Sequence, residues 1–309
     1  MAERAVAQAR TGLAIAEPSA VDRAASRVRG VAHVLRRNPP LLAGSAILAV
    51  MALIAIITAT PGARAIARYE PTTLSLSSRL ETPSAEHWFG SDTLGRDVYS
   101  RTLHGAKVSL VVAASVAIIV TVIGTAIGIT VGYNRIADNT VMRFMDGMMS
   151  FPTLVLALAL VATLGSSLRN VILVICIVDT PGMVRVVRGV VLTLRERTYV
   201  ESARAIGAPV PRILFRHIAP NTFAPVIVQA SVYFAGAILT ESALGFLGVG
   251  TPEYIPSWGN IIAIGREYVT INFWISFFPG LFLALTILAA NLVGDGLRDV
   301  LDPRLRGAM

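Results

Sequence analysis

Lysine, cysteine and charged side chains in general are scarce in this chain. Charged residues make up 15% of its 309 residues, Cys176 is the only cysteine and Lys107 is the only lysine. A single cysteine excludes a disulfide within the chain and a thiolate cluster. A Walker A loop needs a lysine after a glycine to meet nucleotide phosphates, and Lys107 follows Ala106. The chain therefore carries no such loop.

Catalytic and metal-binding patterns are also missing from the sequence. The four histidines are scattered, and no pair of them has the spacing of metal ligands. Neither a Ser-His-Asp order nor an H-E-x-x-H helix occurs. We therefore expect that the chain is not an enzyme and that it binds no metal or cofactor itself. A membrane-embedded enzyme is the remote alternative, which activity of the isolated chain would support.

Apolar residues dominate what remains. They make up 54% of the chain, and the mean hydropathy is +0.66. This composition is typical of an all-α, polytopic membrane protein, for which membrane lipids are natural partners. The formal charge of +8 would suit nucleic acid, but the arginines lie between apolar runs rather than beside aromatic residues on one soluble face. We therefore expect no nucleic-acid partner.

Six apolar runs predict six transmembrane helices, since about twenty helical residues cross a hydrocarbon core of about 30 Å. Their approximate limits are 41–60, 108–134, 146–169, 169–185, 223–240 and 273–293. Gly124, Gly128 and Gly132 recur at every fourth residue of the second run, which predicts close helix packing. We expect Pro152 to start or kink the third helix, and 179–182 to interrupt the fourth.

These runs divide the chain into five parts. They are a cytoplasmic tail (1–38) with an amphipathic surface helix over 21–35, the first transmembrane helix (39–60), an external segment (61–106), a transmembrane core (107–297) with a polar loop at 195–221, and a cytoplasmic C-terminal tail (298–309). Arginines cluster at the loop and near both termini, which places all three in the cytoplasm. A solvated basic tail is the alternative for 21–35.

The stretch from Tyr199 to Asn221 is polar and carries several arginines between long apolar runs. Residues 201–205 favour a helix, and Gly207 stands where that helix would end. Pro209 and Pro211 prevent its continuation but suit the first turn of another helix. We predict two short helices joined at a glycine, which form a docking element on the membrane surface. An ordinary cytoplasmic loop is the alternative.

This stretch resembles the loop signature of the membrane-spanning subunits of bacterial ABC importers, which is Glu-Ala-Ala, then Gly, then Ile-x-Pro. Here it occurs as 201–203, Gly207 and 218–220, with Ser202 for the usual alanine and Ala219 for the usual leucine. The resemblance implies a type I importer permease fold whose coupling helix fits a groove on a partner ATPase. The residues it assigns to that contact are Glu201, Ser202, Ala203, Arg204, Gly207, Pro209, Ile213, Ile218 and Pro220.

Other segments are similar to the C-type permeases of dipeptide, oligopeptide and nickel systems. They include 87–97, 105–110, 241–248, 256–260 and 291–304, and the similarity is collinear over about 36–306. It implies a bacterial inner-membrane permease for peptides that pairs with a homologous B-type permease. It also implies two ATP-binding subunits or domains, which use ATP and Mg, and an extracytoplasmic substrate-binding protein. A nickel chelate or another small solute is the alternative cargo.

Polar side chains inside the apolar runs are candidates for a translocation path, because ionisable groups at membrane depth usually face a bundle interior or water. Asp179, Gln229, Ser231 and Asn291 are these candidates. For Asp179, a hydrated helix end beside Pro181 is the structural alternative. Hydrogen bonding between helices would explain the other three equally well. Glu241 should lie near the external boundary and cap or pair locally.

The external segment has two interpretations. In the first, Ser91, Asp92 and Thr93 cap a short helix that leads into the second span, while Arg96 and Asp97 pair with neighbours. In the second, the segment contacts the substrate-delivery protein. The residues proposed for that contact are Asp92, Arg96, Asp97 and Trp258. Trp258 would otherwise anchor the chain at the membrane interface.

An ATP-independent secondary transporter is the rival from a different class. Such a protein is expected to have internal repeats, paired broken helices and a coupling carboxylate at the midplane. No repeat is visible, and Asp179 is the only suitable carboxylate. Co-purification of ATPase activity with the chain would distinguish the two classes.

Overall fold

Residues 38–60 and 66–301 are described by a computed structural model, and within them the regular structure is helical, apart from one isolated bridge between Ser91 and Asp97. The surface helix expected over 21–35 and the last eight residues of the C-terminal tail lie outside this part of the chain. The helices are α1 (Pro39–Ala59), α2 (Val98–Tyr133), α3 (Arg135–Met149), α4 (Thr153–Leu164), α5 (Leu168–Leu194), α6 (Thr198–Ala205), α7 (Val210–Ile213), α8 (Ala219–Phe246), α9 (Trp258–Arg266) and α10 (Trp274–Leu301).

Five helical segments are long and apolar enough to span a membrane: α1, α2, α5, α10 and the segment from Val210 to Phe246. The helices α3 and α4 meet at an angle of 89° and together make a sixth candidate. The prediction of six spans is therefore met when this bent pair counts as one. The last span extends to Leu301, so it includes the start of the predicted C-terminal tail.

The third span is broken rather than straight. Pro152 stands directly before α4, as predicted, but α4 has only 12 residues and covers about 18 Å. The preceding helix α3 is amphipathic and lies against α5 through Met142 and Met145, which pack with Val184. Arg185 and Arg188 of α5 pair with acidic residues of α3. These contacts keep α3 across the bundle instead of in line with α4.

The predicted interruption of the fourth span is wrong. Helix α5 continues through 179–182 and holds Pro181 in its interior. Proline removes one backbone hydrogen bond, but a membrane helix tolerates this where neighbouring helices and hydroxyl side chains compensate. Thr180 Oγ1 donates a hydrogen bond of 2.6 Å to the carbonyl of Cys176, and Met183, just beyond the proline, is buried against α2.

The helix α2 starts ten residues earlier than the predicted limit of 108, and its cap is not the predicted one. Asp97 is the N-cap, and its carboxylate accepts a 2.7 Å hydrogen bond from the backbone N–H of Ser100. Asp92 instead closes a turn, where its Oδ1 accepts from the N–H groups of Leu94 and Arg96. The predicted short helix is therefore the N-terminal part of α2 itself.

Close packing between α2 and α5 forms the centre of the bundle. A methyl group on Gly124, Gly128 or Gly132 would come within 2.6–2.7 Å of Met183, Val187 or Val191, respectively. Glycine allows the two backbones to approach because nothing intervenes between them. The predicted role of these three glycines in packing is confirmed. On the other flanks, α8 packs against α2 and α10, while α1 packs against α10 and α2.

Candidate functional site

The docking element begins with α6, which ends in a Schellman motif. Gly207 has a φ of +77° and donates from its N–H to the carbonyl of Arg204, at 2.9 Å. The N–H of Ala208 donates to the carbonyl of Ala203, at 3.0 Å. These two bonds satisfy carbonyls that a helix end would otherwise leave free. The predicted helix end at Gly207 is confirmed.

The second helix of the docking element is not separate, which corrects the prediction of two short helices. Pro209 is the N-cap of α7, and the chain passes through a π-helical turn, Leu214–Ile218, directly into α8. Pro220 has no N–H to donate to the preceding turn, and such a loss favours a local change of helical register. The second part of the docking element is therefore the N-terminal end of a helical segment that continues to Phe246.

The nine residues assigned to coupling divide into two groups. Ala203, Ile213 and Ile218 are buried and hold the element together with Val200. The remaining six are exposed: Glu201, Ser202, Arg204, Gly207, Pro209 and Pro220. Two large apolar side chains stand among them, Ile206 at 84% exposure and Phe215 at 79%. A charged surface with two exposed apolar side chains is suited to contact with another protein.

The charges of this surface are only partly compensated within the described residues. Arg204 stacks on the ring of Tyr133, with its guanidinium carbon 5.1 Å from the ring centre. Arg204 and Glu201 line a cleft of about 390 Å³ together with Tyr133, Arg195 and Glu196. Glu201 forms no ion pair with any residue that the structure describes. Tyr133 was not predicted from the sequence, because only the fold brings it to this loop.

The four path candidates do not converge on one point. Asp179 lies one turn before Gly182 of α5, on which the hydroxyl of Tyr233 packs, and Gln229 lies one turn before Tyr233 on α8. Ser231 donates to the carbonyl of Val228, at 2.7 Å, and packs against α10. It therefore serves contact between helices rather than a path. Asn291 is exposed on α10. Tyr233 was missed, although its position four residues after Gln229 puts both on one helix face.

The external segment is tied to the loop before α9 by a buried ionic network. Arg96 donates to Asp92 at 2.6 Å and to Glu253 at 2.8 Å. Arg101 is fully buried and donates to the carbonyls of Pro71 and Glu253. Among the residues described, no group of three His, Cys, Asp or Glu side chains could hold a metal ion.

The four residues proposed for contact with a delivery protein are buried, so their side chains present no surface to a partner. Asp92, Arg96 and Asp97 are all buried, and Asp97 Oδ1 lies 2.9 Å from the Nδ1 of His87. Trp258 is fully buried as well, and its Nε1 donates to the carbonyl of Thr102, at 3.0 Å. Trp258 is therefore neither an exposed contact nor an interfacial anchor.

Glu241 lies in the last two turns of α8 and is fully buried. Its Oε2 accepts hydrogen bonds from Ser109 of α2, at 3.1 Å, and from the adjacent Ser242, at 3.4 Å. The expected local pairing is thus made across two helices. These contacts fix the C-terminal end of α8 against α2.

The apolar spans and the exposed polar segment between two of them define a multi-pass helical membrane protein. The chain belongs to the family of binding-protein-dependent transport system inner membrane components, whose model matches residues 120–307. Membership places the chain in the inner membrane and implies a complex of permease, ATPase and substrate-binding protein.

Several curated relatives resemble this chain over most of its length. A probable peptide ABC transporter permease protein of Sinorhizobium fredii is 49% identical over 89% of this chain and 92% of its own length. A dipeptide transport system permease protein of Alkalihalophilus pseudofirmus is 40% identical over 88% of both chains. A glutathione transport system permease protein of Pectobacterium atrosepticum is 40% identical over 73% of this chain and 75% of its own.

Proposed function

We propose that this chain is the permease subunit of an ABC importer for peptides and forms half of the translocation pathway. Its family membership and the peptide, dipeptide and glutathione permeases among its relatives support this assignment. One structural observation carries the coupling role. The docking surface with Ile206 and Phe215 at its exterior is the end of the helical segment that reaches Phe246.

The complex we propose contains a homologous B-type permease, two ATP-binding subunits or domains and an extracytoplasmic substrate-binding protein. ATP and Mg would be bound by the ATP-binding partners. Both termini and the docking element would be cytoplasmic, as the arginines at 185–216 and at 298 support. The 66–97 segment would then be external.

In this proposal, closure of the ATP-binding subunits moves the docking element, and the helical segment carries the movement into the membrane as a rigid body. The exposed group, Glu201, Ser202, Arg204, Gly207, Pro209 and Pro220, would form the contact. Glu201 would meet a basic group of the ATPase, because it has no ion-pair partner among the described residues of its own chain. Ala203, Ile213 and Ile218 would keep the element rigid.

Substitutions at Gly207 test the coupling role. No described atom lies within 4 Å of a methyl group placed there, so only the positive φ opposes another residue. Gly207→Val should abolish uptake while the protein stays in the membrane, because a β-branched residue avoids this backbone region. Gly207→Asn is the matched control, since asparagine tolerates it, and should retain uptake. Normal uptake by Gly207→Val would contradict the proposal.

Cross-linking tests the contact itself. Ile206→Cys in a Cys176→Ala background should cross-link to the ATP-binding subunit in the assembled complex. Leu76→Cys, in the segment proposed to be external, is the control of similar exposure (76% against 84%) and should not cross-link. Cross-linking of Leu76→Cys to the ATPase would overturn the proposed orientation. Absence of cross-linking at Ile206→Cys in an ATPase-active complex would exclude this surface as the contact.

A further inference from the structure

Asp179 is an acidic side chain in the middle of a membrane span without a counter-charge from the described part of the chain. It lies in α5 and is only partly buried. The ion pairs of the described residues involve other carboxylates, those of Asp92, Asp97, Asp138, Asp146 and Glu253. A carboxylate at this depth is costly unless it faces water or meets a cation. The Asp179 carboxylate therefore requires water or a cation from outside the described part of the chain.

The nearest polar groups come from α8. The hydroxyl of Tyr233 packs directly on Gly182, which is one helical turn beyond Asp179 and on the same face of α5. Gln229 precedes Tyr233 by one helical turn on the same face of α8. One carboxylate, one phenol and one carboxamide therefore lie together between two spans.

The face of α8 beside this group is open. Gln229, Tyr233 and Gly236 share it at helical spacing. A methyl group on Gly236 would meet no described atom within 4 Å, and the neighbouring Val232 is 50% exposed. Because a carboxylate facing lipid would be unfavourable, this open face is best suited to a hydrated path. Asp179, Gln229 and Tyr233 themselves are all partly exposed.

We propose that Asp179, Gln229 and Tyr233 form a transient site for the protonated primary amine of the cargo. The carboxylate supplies the counter-charge, while the amide oxygen and the phenol accept hydrogen bonds from the ammonium group. An aromatic ring close to the ammonium adds cation–π attraction. The inference rests on the proposed function, since peptides carry such an amine at their amino terminus. It assigns a specificity-determining contact to the permease itself.

Transport by the complete importer in proteoliposomes tests the site. The binding protein is loaded to equal occupancy with dialanine or with propionylalanine, which lacks only the amino group. Asp179→Asn should slow dialanine uptake about tenfold or more, the range of a hydrogen bond to a charged group, and leave propionylalanine uptake unchanged. Asp179→Glu should restore most of the dialanine rate. Glu267→Gln removes an exposed external carboxylate as the matched control and should match wild type.

Two results of this experiment would overturn the proposal. Equal slowing of both cargoes by Asp179→Asn would assign Asp179 a structural role. Unchanged uptake of both would show that the amine of the cargo does not need the Asp179 charge. Absence of ATP-driven uptake of either cargo by the wild-type importer would instead contradict the proposed function. In that case a binding measurement tests the amine site independently of transport.

Saturation-transfer NMR on the nucleotide-free complex provides that measurement. Alaninamide carries the ammonium group without a carboxylate, and N-acetylalanine carries the carboxylate without the ammonium. Alaninamide should give a transfer signal with wild type that falls at least severalfold with Asp179→Asn, and N-acetylalanine should give none with either. An alaninamide signal that is absent from wild type, or equal in both proteins, would overturn the site.

Discussion

Arg188 and Asp138 form a two-pronged ion pair between α5 and α3. Arg188 Nε donates to Asp138 Oδ1 at 2.5 Å, and Nη2 donates to Oδ2 at 2.8 Å. Parallel charge-assisted bonds of this kind fix orientation as well as distance. The side chains are 30% and 17% exposed, so the pair is shielded better than one on an open surface. The ion pair holds α3, the first part of the broken third span, against α5.

Removal of either partner should therefore loosen α3. We expect Asp138→Asn or Arg188→Met to cost about 1–3 kcal/mol, because hydrogen bonds to a charged group are lost, and to lower the midpoint of thermal unfolding in detergent. The exchange of Asp138→Arg with Arg188→Asp should recover part of the loss. If the double variant lost as much stability as the two single exchanges together, the two residues would not interact.

The glycine face between α2 and α5 gives a second prediction. Gly128→Ala places a methyl group 2.7 Å from Val187 Cβ, so the helices must separate, at a cost of about 1–3 kcal/mol of stability. Gly189→Ala is the control in α5, because no described atom lies within 4 Å of its added methyl group. It should be neutral or slightly stabilising, since alanine favours helix. Equal thermal midpoints for the two variants would contradict the packing model.

The docking element was largely predictable because its signals are local. A glycine at a positive φ and prolines at the start of a helix act through their own backbone, whatever surrounds them. Gly207 accordingly has a positive φ just after the end of α6, and Pro209 directly precedes α7. The continuation into α8 was missed, because the pattern of a short helix does not reveal whether the next span joins it in line.

Errors arose where tertiary contacts override a local signal. Pro181 and Gly182 predict a break, but α5 passes through them because Thr180 bonds the preceding turn and Tyr233 packs against Gly182. In the external segment, Asp92 and Asp97 are both good helix caps. In the fold, Arg96 binds Asp92 and His87 contacts Asp97. These tertiary contacts decide which of the two aspartates caps α2.

The ionic network of the external segment should depend on its most buried member. Arg101→Met would leave the carbonyls of Pro71 and Glu253 without this donor, which is costly in a buried site. It would also remove a second cation, 3.8 Å from Asp92, which keeps its ion pair with Arg96. We expect faster proteolysis of the 66–97 segment in vesicles that expose it. Glu253→Gln removes the charge of a side chain that is 60% exposed. It should therefore lower the free energy of unfolding by less than about 1 kcal/mol. A larger effect of Glu253→Gln than of Arg101→Met would contradict this ranking.

Glu241 should act through hydrogen bonds rather than charge. No arginine, lysine or histidine among the described residues forms an ion pair with it, and its Oε2 accepts from Ser109 and Ser242. Glu241→Gln keeps an accepting oxygen of the same shape, so its thermal midpoint and uptake rate should stay close to wild type. Glu241→Leu leaves the buried Ser109 hydroxyl without an acceptor and should lose about 1–3 kcal/mol of stability. If Glu241→Gln were as unstable as Glu241→Leu, the negative charge would be required, and an unrecognised cation would have to lie beside α2.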